Sequence, residues 1–172
     1  MHKTILMTGG SGLLSTNWAL SIRDEYKVTL LLHQKKISLL GVNTEIVSLS
    51  SLEECLSVLE KHQPDIVIHT AGLANVEECE SNPNLAQTVN VDLAKNIATA
   101  CSNQGVKLVH ISTDHLFLGD QEFSTEESVI NPVNNYAKSK FLGEKQVLEN
   151  CKDALIIRTN FYGWGTKYRQ SF

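Results

Sequence analysis

The sequence has no apolar run that approaches the ~20 residues a membrane-spanning helix needs, and no cleavable leader precedes its first strand-like run. We therefore expect no membrane partner. The four cysteines lie more than twenty positions apart, so the paired spacing of a zinc site or a redox motif is absent. These absences predict reduced thiols, no bound metal and a cytoplasmic location.

An excess of positive charge is also absent. The 15 Lys and Arg against 19 Asp and Glu give a formal net charge of −4, and the only short basic feature is HQKK at 33–36. Such a chain has no general attraction for polyanions, so we expect no nucleic-acid partner.

With 172 residues, 42% of them hydrophobic, the chain is long enough for one domain with a sizeable core, and we expect a single domain over 1–172.

Short apolar runs alternate with segments of helical period along the whole chain. The predicted strands are 4–7, 27–32, 45–47, 65–69, 107–111 and 154–157, and the predicted helices are 13–23, 52–61, 85–101 and 133–148. This alternation predicts an α/β fold, a doubly wound parallel sheet with right-handed crossovers. The polar stretch 119–131 is predicted to be a loop at the edge of the sheet where ligands of such folds bind.

The stretch TGGSGLLS, at 8–15, joins the first predicted strand to the first predicted helix. There Gly9 can take backbone angles closed to other residues, and Gly12 lets the chain approach a ligand without a Cβ in the way. A phosphate would meet the unpaired N–H groups of the helix. Ser15 stands where a third glycine is usual; serine is the next smallest choice, with a hydroxyl that can bond back to the helix. The alternative is a glycine-rich turn without a ligand.

The end of the second predicted strand lacks the carboxylate that would hold the ribose of NAD. Leu32 is followed by His33, Gln34, Lys35 and Lys36 instead. Positive charge at this place suits a 2′-phosphate, which favours NADP over NAD. The alternative is a solvated basic turn.

Two further motifs carry groups for acid–base chemistry. In YAKSK, Tyr136 and Lys140 lie four apart on one face of a predicted helix, where an ammonium lowers the pKa of a phenol. Such a phenol serves as an acid–base group at neutral pH. In HISTDHLF, the hydroxyl of Thr113 or Ser112 can stabilise charge on a carbonyl oxygen. The alternative for the Tyr–Lys pair is a surface contact without a function.

The order of these motifs resembles that of the extended short-chain dehydrogenase/reductases. DIVIHTAG at 65–72, NVD at 90–92 and RTN at 158–160 belong to the same pattern, which spans nearly the whole chain. The most similar branch is that of dTDP-4-dehydrorhamnose reductase among the nucleotide-sugar enzymes. The resemblance implies a Rossmann fold and a nicotinamide cofactor, with Thr113, Tyr136 and Lys140 as catalytic hydroxyl, proton donor and supporting lysine.

The resemblance also implies which residues bind the cofactor, with NADP expected and NAD as the alternative. These residues are Gly9, Ser11, Gly12, Leu13, Leu14, His33, Gln34, Lys35, Leu49, Ser50, Ala71, Gly72, Leu73, Asn90, Ser112, Tyr136 and Lys140. Three positions depart from the family pattern. Ser15 replaces a glycine, His115 stands where tyrosine is frequent, and Leu49-Ser50 lacks the aspartate that commonly meets the adenine.

The implied activity is NADP-dependent reduction of a 4-keto nucleotide sugar. Family members continue well past the position of Gly163 with a domain that closes over the sugar nucleotide, so we expect this substrate domain to be absent from the chain. We then expect weak NADPH binding, impaired turnover and self-association through apolar surface near Ile156 and Phe161. The alternatives are a non-catalytic NADP-binding or regulatory subunit and a nucleotide-sugar epimerase.

Overall fold

The computed structural model describes residues 2–119, 122–162 and 165. Six strands and six α-helices make up the described fold, together with a π-helical turn and a short 3₁₀ turn. In chain order they are β1 (Thr4–Thr8), α1 (Leu13–Ile22), β2 (Lys27–Leu32), β3 (Asn43–Ile46), α2 (Leu52–His62), β4 (Ile66–His69), α3 (Val76–Ser81), α4 (Pro83–Gln87), the π-helical turn (Thr88–Asp92), α5 (Leu93–Gln104), β5 (Lys107–Ser112), the 3₁₀ turn (Asp114–Leu116), α6 (Asn135–Asn150) and β6 (Leu155–Arg158).

The six strands form one parallel sheet in the order β3-β2-β1-β4-β5-β6. The predicted doubly wound α/β fold is therefore confirmed. The chain moves outward from β1 to β3 on one side and then crosses to β4 on the other. The carboxyl ends of β1 and β4 flank the crevice that this reversal of direction creates, which is where ligands bind in open sheets of this kind.

Alternate residues of the central strands pack against helices on opposite faces of the sheet. Leu6, Val67 and Leu108 are buried in one core cluster with apolar residues of α2, α5 and α6. Met7 and Ile68 are buried in the other cluster, against α1. Because both faces are covered, the central strands read as nearly continuous apolar runs in the sequence, as buried parallel strands do.

The main departure from the sequence prediction is the helix expected at 85–101. The structure divides this region at the π-helical turn Thr88–Asp92, and α3 precedes it as a separate helix because Asn82 caps α4 with its side chain and Pro83 occupies the first helical position. A helix of six residues such as α3 is too short to show a helical period. The predicted helix at 133–148 begins instead at Asn135, since the side chain of Asn134 accepts from the Ala137 N–H.

The predicted loop at 119–131 is confirmed for its described residues, none of which lies in a helix or strand. Gly119 and Phe123 both have positive φ there, at 77° and 59°.

None of the helices in the described part of the chain is long and apolar enough to cross a membrane. Its described residues also contain no group of three or more His, Cys, Asp or Glu that could hold a metal ion.

Gly143 allows α6 to cross the π-helical turn at close range. A Cβ at this position would collide with the Asn90 carbonyl oxygen and lie 3.8 Å from the Ala94 Cβ. We expect Gly143→Ala to lower the free energy of unfolding by about 1–3 kcal/mol, because overpacking outweighs the better helix propensity of alanine. Urea denaturation measures the change.

Lys138→Ala is the matched control, since Lys138 is exposed on the same helix. We expect this variant to stay within about 0.5 kcal/mol of the parent. A Gly143→Ala protein more stable than the parent would contradict the tight crossing of α6 and the π-helical turn.

Candidate functional site

The glycine turn after β1 is held tightly against its neighbours. Gly9 has φ +64°, and a Cβ there would lie 2.8 Å from the Ala71 Cα, so its predicted backbone role is confirmed. The Gly10 N–H donates to the Leu31 carbonyl at 2.9 Å, and a Cβ on Gly10 would lie 2.6 Å from the Leu30 Cβ. Sequence reasoning assigned no role to Gly10, which brings the end of β2 beside the turn.

The turn leads into α1 with Gly12 as the N-cap residue. No side chain caps α1, and its first turn contains no acidic residue. The first N–H groups of a helix have no partners within the helix, and the helix dipole makes this end positive. The N-terminus of α1 thus offers an anion the backbone donors that the sequence predicted.

The Ser15 hydroxyl, which could bond back to its own helix, bonds instead to residues at the ends of two strands. Ser15 is fully buried, and its hydroxyl shares a 2.5 Å hydrogen bond with the Thr70 hydroxyl and approaches the Thr8 carbonyl at 3.5 Å. The Thr70 hydroxyl also donates to the Thr8 carbonyl at 2.7 Å. Serine at the position of the third glycine therefore ties α1 to the ends of β1 and β4.

A cleft opens between the glycine turn and the N-terminal half of α6. Its lining residues are Gly12, Leu13, Leu14, Ser15, Thr70, Gly72, Ala74, Ile111, Ser112, Tyr136, Lys140 and Phe161. The structure thus brings Tyr136 and Lys140 together with part of the predicted diphosphate loop. Sequence reasoning missed Thr70, Ala74, Ile111 and Phe161, although Thr70 follows β4 directly and could have been found from that position.

Lys140 lies beneath the cleft with its ammonium buried in the protein. Its Nζ donates to the Ile111 carbonyl at 2.7 Å. Burial lowers the pKa of Lys140 to about 8, while the Glu144 carboxylate acts to raise it. The lysine is therefore mainly protonated at neutral pH. Glu144 is itself buried and pairs with Arg158, whose Nη2 lies 2.8 Å from Oε2 and whose Nε donates to Oε1 at 3.0 Å.

The two candidate hydroxyls after β5 have different surroundings. Ser112 lines the cleft, and its buried hydroxyl has no hydrogen-bond partner among the described residues. The Thr113 hydroxyl accepts from the His115 N–H at 3.2 Å and lies 3.4 Å from Asp114 Oδ1, so it caps the 3₁₀ turn. Of these two residues, Ser112 is the one that lines the cleft together with Tyr136 and Lys140.

Asn90 links the β4 side of the cleft to α6. Its Oδ1 accepts from the Leu73 N–H at 2.7 Å, and its Nδ2 donates to the Leu73 carbonyl at 3.0 Å and to the Ser139 hydroxyl at 2.9 Å. Asn90 belongs to the π-helical turn, a feature that is frequent at functional sites. A Cβ on Gly72 would lie 3.1 Å from Oδ1, so these predicted cofactor residues pack together.

The residues predicted to meet the adenosine lie farther along the carboxyl edge of the sheet. His33, Gln34 and Lys35 are exposed directly after β2. The Leu49 side chain packs against the core. The Ser50 hydroxyl and N–H donate to Glu54 Oε2, at 2.8 and 2.6 Å. The S-x-x-E pattern that starts at Ser51 is a capping box, and its residue types could have revealed this role of the glutamate.

Two buried histidines lie behind Lys140, and sequence reasoning missed them. His69 and His110 are register partners on β4 and β5, with ring centroids 5.2 Å apart. His69 Nδ1 shares a 2.7 Å hydrogen bond with the Thr8 hydroxyl, whereas its Nε2 and both His110 nitrogens have no partner among the described residues. Burial, together with the Lys140 charge, lowers the pKa of His69 to about 3 and that of His110 well below its usual value.

The chain is similar to known proteins along nearly its whole length. A family model described as "RmlD substrate binding domain" matches residues 2–169. The probable low-salt glycan biosynthesis reductase Agl14 of Haloferax volcanii is 30% identical over 159 residues, which are 91% of this chain and 53% of that protein. Methionine adenosyltransferase 2 subunit beta of Bos taurus is 30% identical over 164 residues, 91% of this chain and 46% of that protein.

Among solved structures, dTDP-4-dehydrorhamnose reductase of Bacillus anthracis in complex with NADP matches with a TM-score of 0.82 at 27% identity. The match covers 98% of this chain and 57% of that one. The chain thus spans about half the length of the curated relatives it matches. With the match over 2–169 and the parallel sheet order, the chain belongs to the RmlD substrate binding domain family, within the extended short-chain dehydrogenase/reductases.

Proposed function

We propose that this chain binds NADPH in the cleft between α1 and α6 and takes part in reducing a 4-keto nucleotide sugar. The observation that carries the proposal is the meeting of Tyr136, Lys140 and Ser112 with the N-terminus of α1 in one cleft. Acid–base groups and an anion-binding helix end are then available to the same bound molecule. The relatives named as reductases, one of them in complex with NADP, support the same assignment.

The residues present fit a dinucleotide. The uncapped first turn of α1 offers N–H groups to a diphosphate, and Gly9 and Gly10 pack so closely against Ala71 and Leu30 that a Cβ at either position would collide with them. Ser112 lines the same cleft, and its buried hydroxyl has no partner among the described residues, so a bound polar group can satisfy it. Tyr136, Lys140 and Asn90 would lie on the nicotinamide side, and His33, Gln34 and Lys35 on the adenosine side.

The chemistry that the bound nucleotide supplies is hydride transfer. In our proposal Tyr136 donates its phenolic proton to the keto oxygen as that oxygen gains charge. Lys140, held by the Ile111 carbonyl, favours the phenolate that remains. The hydroxyl of Ser112 or Thr113 donates a hydrogen bond to the same oxygen and stabilises its developing charge. Sugar-dependent oxidation of NADPH, followed by absorbance, tests the assignment.

We expect NADPH to bind more tightly than NADH. No acidic residue lies between Leu32 and Glu45, and Lys35 and Lys36 are exposed where the 2′-phosphate would lie. In the double variant Lys35→Glu, Lys36→Glu, the ratio of the dissociation constant for NADH to that for NADPH should fall by about tenfold or more, because charge-assisted contacts to the 2′-phosphate are lost. Titration with each nucleotide, followed by its fluorescence, gives the two dissociation constants.

The matched control reverses the same number of charges at the opposite edge of the sheet. Lys107 and Lys152 are both exposed, one at the start of β5 and the other just before β6. Lys107→Glu, Lys152→Glu should leave the ratio of the two affinities unchanged within about twofold, since surface charges beyond a Debye length are screened. Equal or reversed affinities of the parent for the two nucleotides would remove Lys35 and Lys36 from this role.

A nucleotide-binding subunit of another enzyme is the second candidate function. The similarity to methionine adenosyltransferase 2 subunit beta, over 91% of this chain, favours it. In that case the chain would bind NADPH saturably, and no 4-keto nucleotide sugar would accelerate oxidation of the nucleotide. The reductase assignment instead requires a measurable sugar-dependent rate in the parent that Tyr136→Phe lowers by about 10²-fold or more.

A further inference from the structure

The first turn of α6 is held from outside by a residue that the proposed mechanism does not use. Glu80 lies on α3, and its two carboxylate oxygens bond to one residue, Asn135. Oε1 accepts from the Asn135 backbone N–H at 2.6 Å, and Oε2 accepts from the Asn135 side-chain amide at 2.8 Å. Asn135 is the first residue of α6 and directly precedes Tyr136.

These contacts satisfy backbone groups that the helix cannot satisfy itself. The first N–H groups of an α-helix lack partners within the helix. In α6 the Asn134 side chain accepts from the Ala137 N–H, while Glu80 accepts from the Asn135 N–H. A carboxylate at a helix N-terminus also gains from the helix dipole, and charge-assisted hydrogen bonds are among the stronger ones. The start of α6 is therefore fixed jointly by its own cap and by α3.

A second tie joins the β4–α3 segment to α6 from the inside. Asn90 binds both backbone polar groups of Leu73, which precedes α3, and donates to the Ser139 hydroxyl on α6. Tyr136 lies between the two anchored positions, Asn135 and Ser139. The inner tie runs through the buried side chains of Asn90 and Ser139, whereas Glu80, in the outer tie, is exposed and has no part in the core.

We propose that Glu80 is a positioning residue, whose carboxylate fixes the first turn of α6 so that the Tyr136 phenol faces the cleft. The role of Tyr136 in this proposal rests on the proposed function. The hydrogen bonds between Glu80 and Asn135 do not depend on that function. Because Glu80 is exposed, its removal should loosen one helical turn while the fold stays intact. An effect on turnover without an equal effect on nucleotide binding distinguishes positioning from general destabilisation.

Three variants test the proposal. Glu80→Ala removes both hydrogen bonds. Glu80→Gln keeps an oxygen for the Asn135 N–H and an amide that can pair with the Asn135 side chain, so it should restore the parent behaviour. Glu77→Ala is the matched control, because Glu77 is exposed on the same helix.

Hydrogen exchange and the tyrosine spectrum give the readouts that do not need activity. In Glu80→Ala we expect amide exchange in 135–138 to accelerate about fivefold, the loss typical of one helix cap. The ¹⁹F resonance of fluorotyrosine at Tyr136, assigned through Tyr136→Phe, should shift or broaden in this variant alone. Unchanged exchange and an unchanged resonance, or a Glu80→Gln protein that behaves like Glu80→Ala, would overturn the proposal.

Turnover supplies the functional readout. We expect Glu80→Ala to lower kcat about fivefold, in line with the loosened turn, while the Kd for NADPH stays within about twofold of the parent. Faster exchange with unchanged kcat would mean that Glu80 orders the helix without positioning Tyr136, which overturns the proposal. If the parent shows no sugar-dependent turnover, the proposed function fails, and the ¹⁹F resonance of Tyr136 still decides the role of Glu80.

Discussion

Acidification from pH 7 to pH 5 is expected to lower the free energy of unfolding by about 4 kcal/mol, because two histidines are buried in neutral form. Burial lowers the pKa of His69 to about 3 and that of His110 well below its usual value. In the unfolded chain both rings take up a proton near pH 6.5. The unfolded state therefore binds more protons than the folded state over this range, and stability falls as the pH falls.

The pH window follows from the same shifts. Above pH 6.5 the two imidazoles are mainly neutral in both the folded and the unfolded chain, so they do not lower the free energy of unfolding. As the pH falls from 6.5 toward the lowered folded pKa values, each of the two histidines lowers the free energy of unfolding by about 1.4 kcal/mol per pH unit. The pKa of Glu45 is lowered mainly by its hydrogen bond to Lys61, so this carboxylate begins to reduce the free energy of unfolding only below its ordinary pKa of 4.5. The window from pH 6.5 to 4.5 thus isolates the histidine pair.

Urea denaturation at several pH values measures the slope. His110→Leu should halve it, since one titrating ring is removed. His33→Gln is the matched control, because His33 is exposed after β2, and it should leave the slope unchanged. A free energy of unfolding independent of pH between 7 and 5 would contradict the burial of two neutral histidines behind Lys140.

Tyr136→Phe is expected to lower sugar-dependent turnover by about 10²–10⁴-fold, the range typical of a general acid–base residue. The phenol that would donate a proton to the keto oxygen is lost, while the ring and its packing remain. The Kd for NADPH should change much less than kcat. Lys140→Ala should lower kcat and also raise the Kd for NADPH, because Lys140 would also hold the nicotinamide ribose. Initial rates at saturating sugar and a nucleotide titration separate the two effects.

Tyr26→Phe is the matched control for this variant, since Tyr26 packs against the core cluster that contains α1 residues, away from α6. It should retain the parent rate. If Tyr136→Phe turned over as fast as the parent, the proton donor would have to be another group. His115 is then the next candidate, because its ring contacts the Tyr136 ring edge-on with centroids 5.8 Å apart.

The sheet was predictable because its central strands, β1, β2, β4 and β5, are largely buried on both faces. Runs such as 27–32, in which only Lys27 and Thr29 are polar, are mostly apolar, and all six predicted strands overlap observed ones. The glycine turn was predictable as well, since few residues other than glycine adopt the φ of +64° found at Gly9. The helices between β4 and β5 were not, because Asn82 and Pro83 interrupt the helical period and the π-helical turn shifts it.

At the site, spacing predicted which residues share a face but not how each hydroxyl is used. Tyr136 and Lys140 both line the cleft, as their separation of four predicts. The choice between Ser112 and Thr113 depends on the 3₁₀ turn that engages the Thr113 hydroxyl. The contacts of Ser15 with Thr70 and of Glu80 with Asn135 join residues 55 positions apart, which no local pattern reveals.

The central claim is that this cleft binds NADPH and that its hydride passes to the keto carbon of a nucleotide sugar. The most direct measurement incubates the chain with NADPH deuterated at C4 of the nicotinamide and with dTDP-4-dehydrorhamnose, and then locates deuterium in the sugar by mass spectrometry and NMR. Because product accumulates over hours, slow turnover is detected. We expect one deuterium at C4 of the sugar with the parent and about 10²-fold less or none with Tyr136→Phe. Saturable NADPH binding with no deuterium in the sugar would contradict the reductase assignment.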